Sequence, residues 1–362
     1  MTRTHLQEPP VPEPLSIGIL YPTTWYGDPT GFDAAIKRLR GLDPTIEVRV
    51  VEYQEPPERR HRRQIGAADD ALDETPPVSD EVADVLATAE ILLAIDLPTD
   101  IVSRAPRLRW VQSASAGADH LLRLGLDRAG IRLTTGAGSN AVGIAEFVMG
   151  RLLEFWKDFP VIAERQAIRT WRPRYGRELA GSTIGLIGLG AINSQIAARL
   201  AAFDVQVLAT RRSWSPGATA PNVDEVLPAD RLHEMLIRCD AVIAAVRGTT
   251  STEGLMNAKA FAAMSPGSWF CNVGRGTLVD EPALVAALTS GQLGGAAIDV
   301  QRHEPMADDD PLWDAPNLRL SFHNATAPTA MFRHLHTMFE ANVVNYLVGA
   351  PMTNEANLPH AP

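Results

Sequence analysis

Short runs of branched apolar residues alternate with longer mixed stretches along most of this chain, and the alternation occurs twice. The first series is "SIGIL" (16–20), "EVRVVEY" (47–53), "EILLAID" around 90–96, "LRWVQSAS" (108–115) and "IRLTTG" (131–136). Near-continuous apolar strands joined by connections long enough for helices predict a parallel sheet covered on both faces. The second series is "STIGLIG" (182–188), "VQVLAT" (205–210), "DAVIAAV" (240–246), "SWFCNV" (268–273), "GAAIDV" (295–300) and "LRLSF" (318–322). It predicts a second sheet of the same kind. Between the series, residues 140–167 place Ile144, Val148, Leu152 and Trp156 on one helical stripe. A long helix is expected there, interrupted near Pro160, and another after Ala325. The fold class is therefore α/β, with two Rossmann-like parallel-sheet domains.

Length and composition agree with two cores. The 362 residues are 45% hydrophobic and 21% charged, enough for each half to bury its own interior. No apolar run approaches a membrane span, and the opening "MTRTHLQEPPVPEP" lacks the apolar segment of a secretory signal, so a cytoplasmic protein is expected. A net charge of −10 speaks against nucleic acid or an anionic membrane as partner, while leaving room for a small anionic substrate at a local positive site. Cys239 and Cys271 both fall in apolar surroundings and read as free buried thiols, and no metal site is expected. The proline- and charge-rich 54–80 segment, with its "ERRHRR" run, reads as an exposed excursion.

Candidate chemistry begins at "GLIGLGAINSQIA" (185–197), which follows a predicted strand. It carries the first two glycines of G-x-G-x-x-G, Gly188 and Gly190, but Asn193 stands at the third. The first two serve the tight turn and the close approach of backbone to a pyrophosphate, whereas the third serves helix–strand packing. Amides at the start of the following helix, around Ala191 and Ile192, still face an anion. At the end of the next strand, where an acidic residue would hold a ribose 2′-hydroxyl, the chain has Thr210, Arg211, Arg212 and Ser213. Guanidinium forks and a hydroxyl match a 2′-phosphate, which predicts NADP(H) in preference to NAD(H), with NAD(H) as the alternative. Three later segments each set one ionisable residue just after a predicted strand: Arg275 in "NVGRGTLVDEPAL" (272–284), Glu304 in "GGAAIDVQRHEPM" (294–306) and His323 in "LSFHNATAP" (320–328). Strand carboxyl ends line the ligand crevice of open α/β sheets, so the three can converge as anion clamp, orienter and acid/base.

With "SASAGADHLL" (113–122), "NAVGIAEF" (140–147) and "TTSTEGLMN" (249–257), these segments resemble in order the D-isomer-specific 2-hydroxyacid dehydrogenase family, over nearly everything from about Ala89 to Leu358. The resemblance leans toward NADP-preferring glyoxylate/hydroxypyruvate reductases. It implies hydride exchange between a nicotinamide and a small 2-keto or D-2-hydroxy acid. Arg275 is then expected to bind the carboxylate and polarise the keto oxygen, His323 to deliver the proton, and Glu304 to hold the imidazole and raise its pKa. Backbone amides of Ser115, Ala116, Gly117 and Ala118 complete the substrate site. Val246, Thr252 with Thr249, Val273 and Asp299 join the cofactor site, Asp299 near the nicotinamide carboxamide. The resemblance also implies a flavodoxin-like substrate domain made of 1–139 and 326–362, interrupted by a dinucleotide-binding domain at 140–325, and a homodimer formed through the helix near 140–167.

The departures from the family pattern are Asn193, the Arg247-Gly248 pair in place of Pro-Leu, Phe147 in place of histidine and Phe322 before His323 in place of proline. None removes Arg275, Glu304 or His323. Alternatives on the same scaffold are a formate dehydrogenase, disfavoured by a carboxylate at Glu304 where glutamine is usual, and a dinucleotide-sensing corepressor-like binding protein. A phosphoglycerate dehydrogenase is expected to carry a further regulatory domain. For the substrate side chain, Trp25 and Tyr26 in "YPTTWYGDP" (21–29), and "DLPTD" (96–100), are the candidate lining, although internal packing is the commoner fate of such aromatics.

Overall fold

The computed structural model describes residues 14–56, 59 and 77–356. Most of the 54–80 excursion, including all of "ERRHRR" but Arg59, lies outside the described residues. The chain divides into two units: residues up to Ser139 together with those from Pro328, and Asn140–Ala327.

In the first unit, strands β1 (Leu15–Leu20), β2 (Ile46–Val51), β3 (Ile91–Ala94), β4 (Trp110–Ser113) and β5 (Arg132–Thr134) form one parallel sheet in the order β2-β1-β3-β4-β5. That is the flavodoxin-like arrangement. Both faces are covered. Phe32, Ile36 and Leu39 of helix Pro29–Arg40 and Phe332, Leu335 and Phe339 of helix Pro328–Leu347 close one side, and Val82, Val85 and Leu86 of helix Asp80–Thr88 contribute to the other. Every residue of β1, β3 and β4 is buried, and β3 reads accordingly as an unbroken apolar run, while β1 and β4 also bury Ser16, Gln112 and Ser113. Tyr26 is spent on this interior, edge-on to Phe32 and His336, and Trp25 packs at a tilt against Phe332. Tyr26 is thus an interior residue, whereas Trp25 stays half-buried.

The second unit holds β6 (Thr183–Ile187), β7 (Gln206–Arg211), β8 (Glu225–Pro228), β9 (Ala241–Ala244), β10 (Ser268–Asn272), β11 (Leu293–Ile298) and β12 (Leu318–Leu320) in the order β12-β11-β10-β9-β6-β7-β8. All of its pairings are parallel. The order reverses between β6 and β9, and that switch point is where open sheets of this kind take ligands. The edge strand β8 was not foreseen from sequence: it is four residues long, starts with a glutamate and ends at a proline.

The expected long helix is two helices. Ala141–Trp156 buries Ile144, Val148, Leu152 and Trp156 against Ile184, Ile196 and Trp269. The chain then turns through Asp158, in the left-handed region at φ 52°, and Pro160 falls in the first turn of a second helix, Phe159–Ala167. Proline is tolerated there because the first-turn amides have no intrahelical acceptor. The break therefore precedes Pro160 by two residues. Cys271 lies within β10 and Cys239 in the turn before β9; both are buried and free. No helix among the described residues is long and apolar enough to cross a membrane.

Candidate active site

Three loops at the carboxyl ends of β10, β11 and β12 carry Arg275, Glu304 and His323. Their closeness has a steric cause: a Cβ on Gly276 would stand 1.9 Å from the Gln301 carbonyl oxygen. Only glycine lets the loop bearing Arg275 lie on the backbone that leads to Glu304. Buried Asn272 stiffens the same loop, donating from Nδ2 to the Arg275 carbonyl (2.9 Å) and accepting from the Gly274 N–H (3.0 Å). Gly248, at the departure from the family's Pro-Leu pair, sits where an added Cβ would meet Thr277 Oγ1 at 2.9 Å and Arg275 Cβ at 3.2 Å. The β9 loop therefore packs on the Arg275 loop by backbone.

His323 Nδ1 and Glu304 Oε2 are 2.8 Å apart, and Glu304 Oε1 accepts from the Gln301 N–H at 3.0 Å. The hydrogen bond to Glu304 raises the His323 pKa above the ordinary histidine value, aided by the Glu304 charge and opposed by partial burial and by Arg275. Burial pushes the Glu304 carboxyl up, but the bonds from His323 and the Gln301 amide, with the charges of His323 and Arg275, outweigh it and hold that carboxyl below the ordinary value. Arg275 thus acts electrostatically on both partners. Its own Nη1 donates to the Gly274 carbonyl at 2.7 Å, and its side chain is exposed. With Nδ1 engaged by the carboxylate, Nε2 is the imidazole nitrogen left to gain or lose a proton.

Of the buried network behind His323, the sequence singles out Asp299 but not its partners Ser321 and Asn324, nor Gln301. Asp299 Oδ1 accepts from Ser321 Oγ (2.7 Å) and the amides of Asn324 (3.0 Å) and Ala325 (3.1 Å), while its carbonyl accepts from the His323 N–H (2.7 Å). Gln301 Nε2 donates to the Ser321 carbonyl at 3.2 Å. These bonds fix a loop in which His323 itself holds a left-handed backbone at φ 55°. Such a conformation in a non-glycine residue persists where its surroundings over-determine it. The sequence signal was available as polar residues at the ends of otherwise apolar strands.

At the switch point, the turn after β6 fits a dinucleotide. Gly188 adopts φ +82°, and a Cβ there would stand 2.2 Å from Val246 Cγ1. At Gly190, by contrast, an added Cβ would meet nothing within 4 Å. No neighbour among the described residues demands that glycine, and the open backbone there is of the kind that lets a dinucleotide's phosphates approach closely. Helix Ala191–Leu200 begins directly after it, with Ala191 exposed and Ile192 half-buried. Arg211, Arg212 and Ser213 are exposed at the end of β7, where Arg211 Nε donates to Ser213 Oγ at 3.0 Å. Thr252 Oγ1 donates to the Arg247 carbonyl (2.7 Å) and accepts from the Thr249 N–H (2.8 Å), which folds the β9 loop on itself. Val273 is buried behind the Arg275 loop. In the first unit, Ser115, Ala116 and Gly117 are half-buried and Ala118 buried; the Ser115 N–H donates to Ser113 Oγ, and its carbonyl accepts from the Gly136 N–H.

Residues 149–325 match the family model of the D-isomer specific 2-hydroxyacid dehydrogenase NAD-binding domain. A glyoxylate reductase from Thermofilum pendens is 30% identical over 76% of this chain and 83% of its own length. Among solved structures, a D-isomer specific 2-hydroxyacid dehydrogenase family protein from Aeromonas salmonicida superposes with a TM-score of 0.73 at 27% identity, covering 95% of this chain and 99% of that one. An NADPH-dependent glyoxylate/hydroxypyruvate reductase from Sinorhizobium meliloti, in complex with NADP and sulfate, gives 0.69 at 25% identity over 96% and 98%. The chain also matches D-3-phosphoglycerate dehydrogenases, of whose length it spans about half. The chain belongs to the D-isomer-specific 2-hydroxyacid dehydrogenase family. As a member it is an NAD(P)-dependent hydroxyacid oxidoreductase.

Proposed function

We propose that this enzyme is an NADP(H)-linked reductase of small 2-keto acids of the glyoxylate or hydroxypyruvate kind. The observation that carries the reading is the Glu304–His323 pair at 2.8 Å under the field of Arg275. A bound nicotinamide dinucleotide would supply the hydride. Reduction of a keto group leaves negative charge on its oxygen, which demands a proton donor and a positive field. His323 holds that proton at Nε2, and the imidazolium is favoured by Glu304 at Nδ1. Arg275 binds the substrate carboxylate and polarises the keto oxygen. In the reverse direction the neutral imidazole accepts the hydroxyl proton at the same nitrogen.

The 2′-phosphate preference rests on Arg211, Arg212 and Ser213, all exposed at the end of β7, and the S. meliloti reductase with bound NADP supports it by likeness. Gly188, Gly190, Ala191 and Ile192 serve the pyrophosphate, and Val246, Thr252, Val273 and Asp299 complete the cofactor side. We assign substrate binding to the unit of 1–139 with 326–362 and dinucleotide binding to 140–325. A cytoplasmic homodimer formed through the segment near 140–167 is the proposed form, and Phe159 and Ile162 are exposed apolar side chains on that segment. Steady-state reduction of glyoxylate and hydroxypyruvate with NADPH and NADH tests the reading: NADPH-linked turnover supports it, and absence of turnover with any 2-keto acid refutes it.

A further inference from the structure

Asn193 is buried at 0% exposure three residues past Gly190, where the fingerprint has its third glycine. Its side chain turns back toward the strand. Nδ2 donates to the Ile187 carbonyl at 2.9 Å and to the Gly188 carbonyl at 2.6 Å. Oδ1 has no partner among the described residues, so the side chain works here as a donor alone. The opposite amide orientation would set Oδ1 against two carbonyl oxygens, which excludes it. In a capping box the third helical residue offers an acceptor to a free amide. Here the same position offers a donor to the carbonyls of the preceding turn.

The consequence falls on the turn's direction. Gly188 is held from both sides, its N–H donating to Thr210 Oγ1 at 3.3 Å and its carbonyl gripped by Asn193. The peptide unit is planar and trans, so fixing the Gly188 carbonyl fixes the Leu189 N–H in the opposite sense. Thr210 in turn lies one residue before Arg211. A glycine left free of side-chain bonds at φ +82° has many alternatives, because it lacks the Cβ that restricts other residues. The double grip removes them.

We propose that Asn193 is a positioning residue for the dinucleotide: it replaces the packing function of the third glycine with a hydrogen-bonded clamp that aims the backbone of the 188–190 turn at the pyrophosphate. The proposal rests on the reading of that turn as the dinucleotide site. It differs from a purely structural role in which part of the ligand is affected. The clamp serves the pyrophosphate, whereas a 2′-phosphate is met by Arg211 and Arg212.

The test is a set of equilibrium titrations of the full chain with NADPH, ADP and adenosine 2′-monophosphate, alongside the thermal midpoint of each ligand-free protein. N193L keeps the approximate shape and removes the donor. It is expected to weaken NADPH and ADP by about ten-fold or more, as loss of two buried hydrogen bonds implies, and to leave adenosine 2′-monophosphate within about two-fold. N193S keeps one hydroxyl donor and is expected to fall between; it carries the test if N193L does not fold. Equal weakening of all three ligands reduces Asn193 to a structural role and overturns the proposal, as does unchanged binding of all three. Failure of the unaltered protein to bind NADPH, NADH or ADP refutes the dinucleotide reading itself, and the proposal with it.

Discussion

His323 Nδ1 and Glu304 Oε2 meet at 2.8 Å, each on a loop that follows a different strand of one sheet. The pair sets the pH behaviour. With its pKa raised, His323 stays protonated to higher pH than a free histidine. Keto-acid reduction is therefore expected to hold its rate through neutrality and to fall as pH rises through that raised value. E304Q keeps the geometry and removes the charge, so the alkaline limb of kcat/KM should move toward acid. A profile unchanged in E304Q contradicts the assigned role.

Stability follows the same two shifts. His323, raised above 6.5, contributes fully below its unfolded value and loses that contribution as pH rises through the folded one. Glu304, lowered below 4.5, contributes fully above its unfolded value and loses it as pH falls through the folded one. The pair's contribution should be complete between those unfolded values and absent in E304Q. Thermal midpoints across pH 4–8 for the two proteins check this.

Removing the proton donor should separate chemistry from binding. H323A is expected to lower kcat by about 10²–10⁴-fold, the usual worth of a positioned acid, with NADPH affinity within about two-fold. Single-turnover rates and fluorescence titration measure the two quantities. Full turnover in H323A would reject His323 as the donor.

Cofactor choice should lie in Arg211 and Arg212, because charge-assisted guanidinium contacts are made to a 2′-phosphate and not to a 2′-hydroxyl. The double alanine variant is expected to raise KM for NADPH by about ten-fold or more and to leave KM for NADH nearly unchanged. Equal effects on both would assign the arginines to something other than the 2′ position.

Gly276 offers a purely steric test. With a Cβ 1.9 Å from the Gln301 carbonyl, G276A must separate the Arg275 and Glu304 loops. The expected cost is about 1–3 kcal/mol of stability or more, read as a lower thermal midpoint, together with most of the activity. A variant with unaltered midpoint and rate would mean that the two backbones need not touch.

Much of this architecture can be read from the chain because both sheets are buried on both faces. Strands such as Ile91–Ala94 and Ala241–Ala244 have every residue inside, so burial writes itself as an apolar run. The edge strand Glu225–Pro228 is buried only at Val226 and Leu227, and it left no such mark. Spacing set Arg275, Glu304 and His323 at strand ends, and their loops do follow β10, β11 and β12. The supporting bonds were not legible. Asp299 spends its carboxylate on Ser321, Asn324 and Ala325, and Asn193 its amide on two carbonyls; no local pattern specifies partners that only the folded backbone brings within reach.

The most direct measurement is the initial rate of NADPH and NADH oxidation, in parallel, with glyoxylate, hydroxypyruvate, pyruvate and phenylpyruvate. NADPH-linked turnover of glyoxylate or hydroxypyruvate is expected, faster than with NADH and lost in H323A. No turnover of any acid by a protein that binds NADPH would contradict it, and faster turnover with NADH would overturn the role given to Arg211 and Arg212.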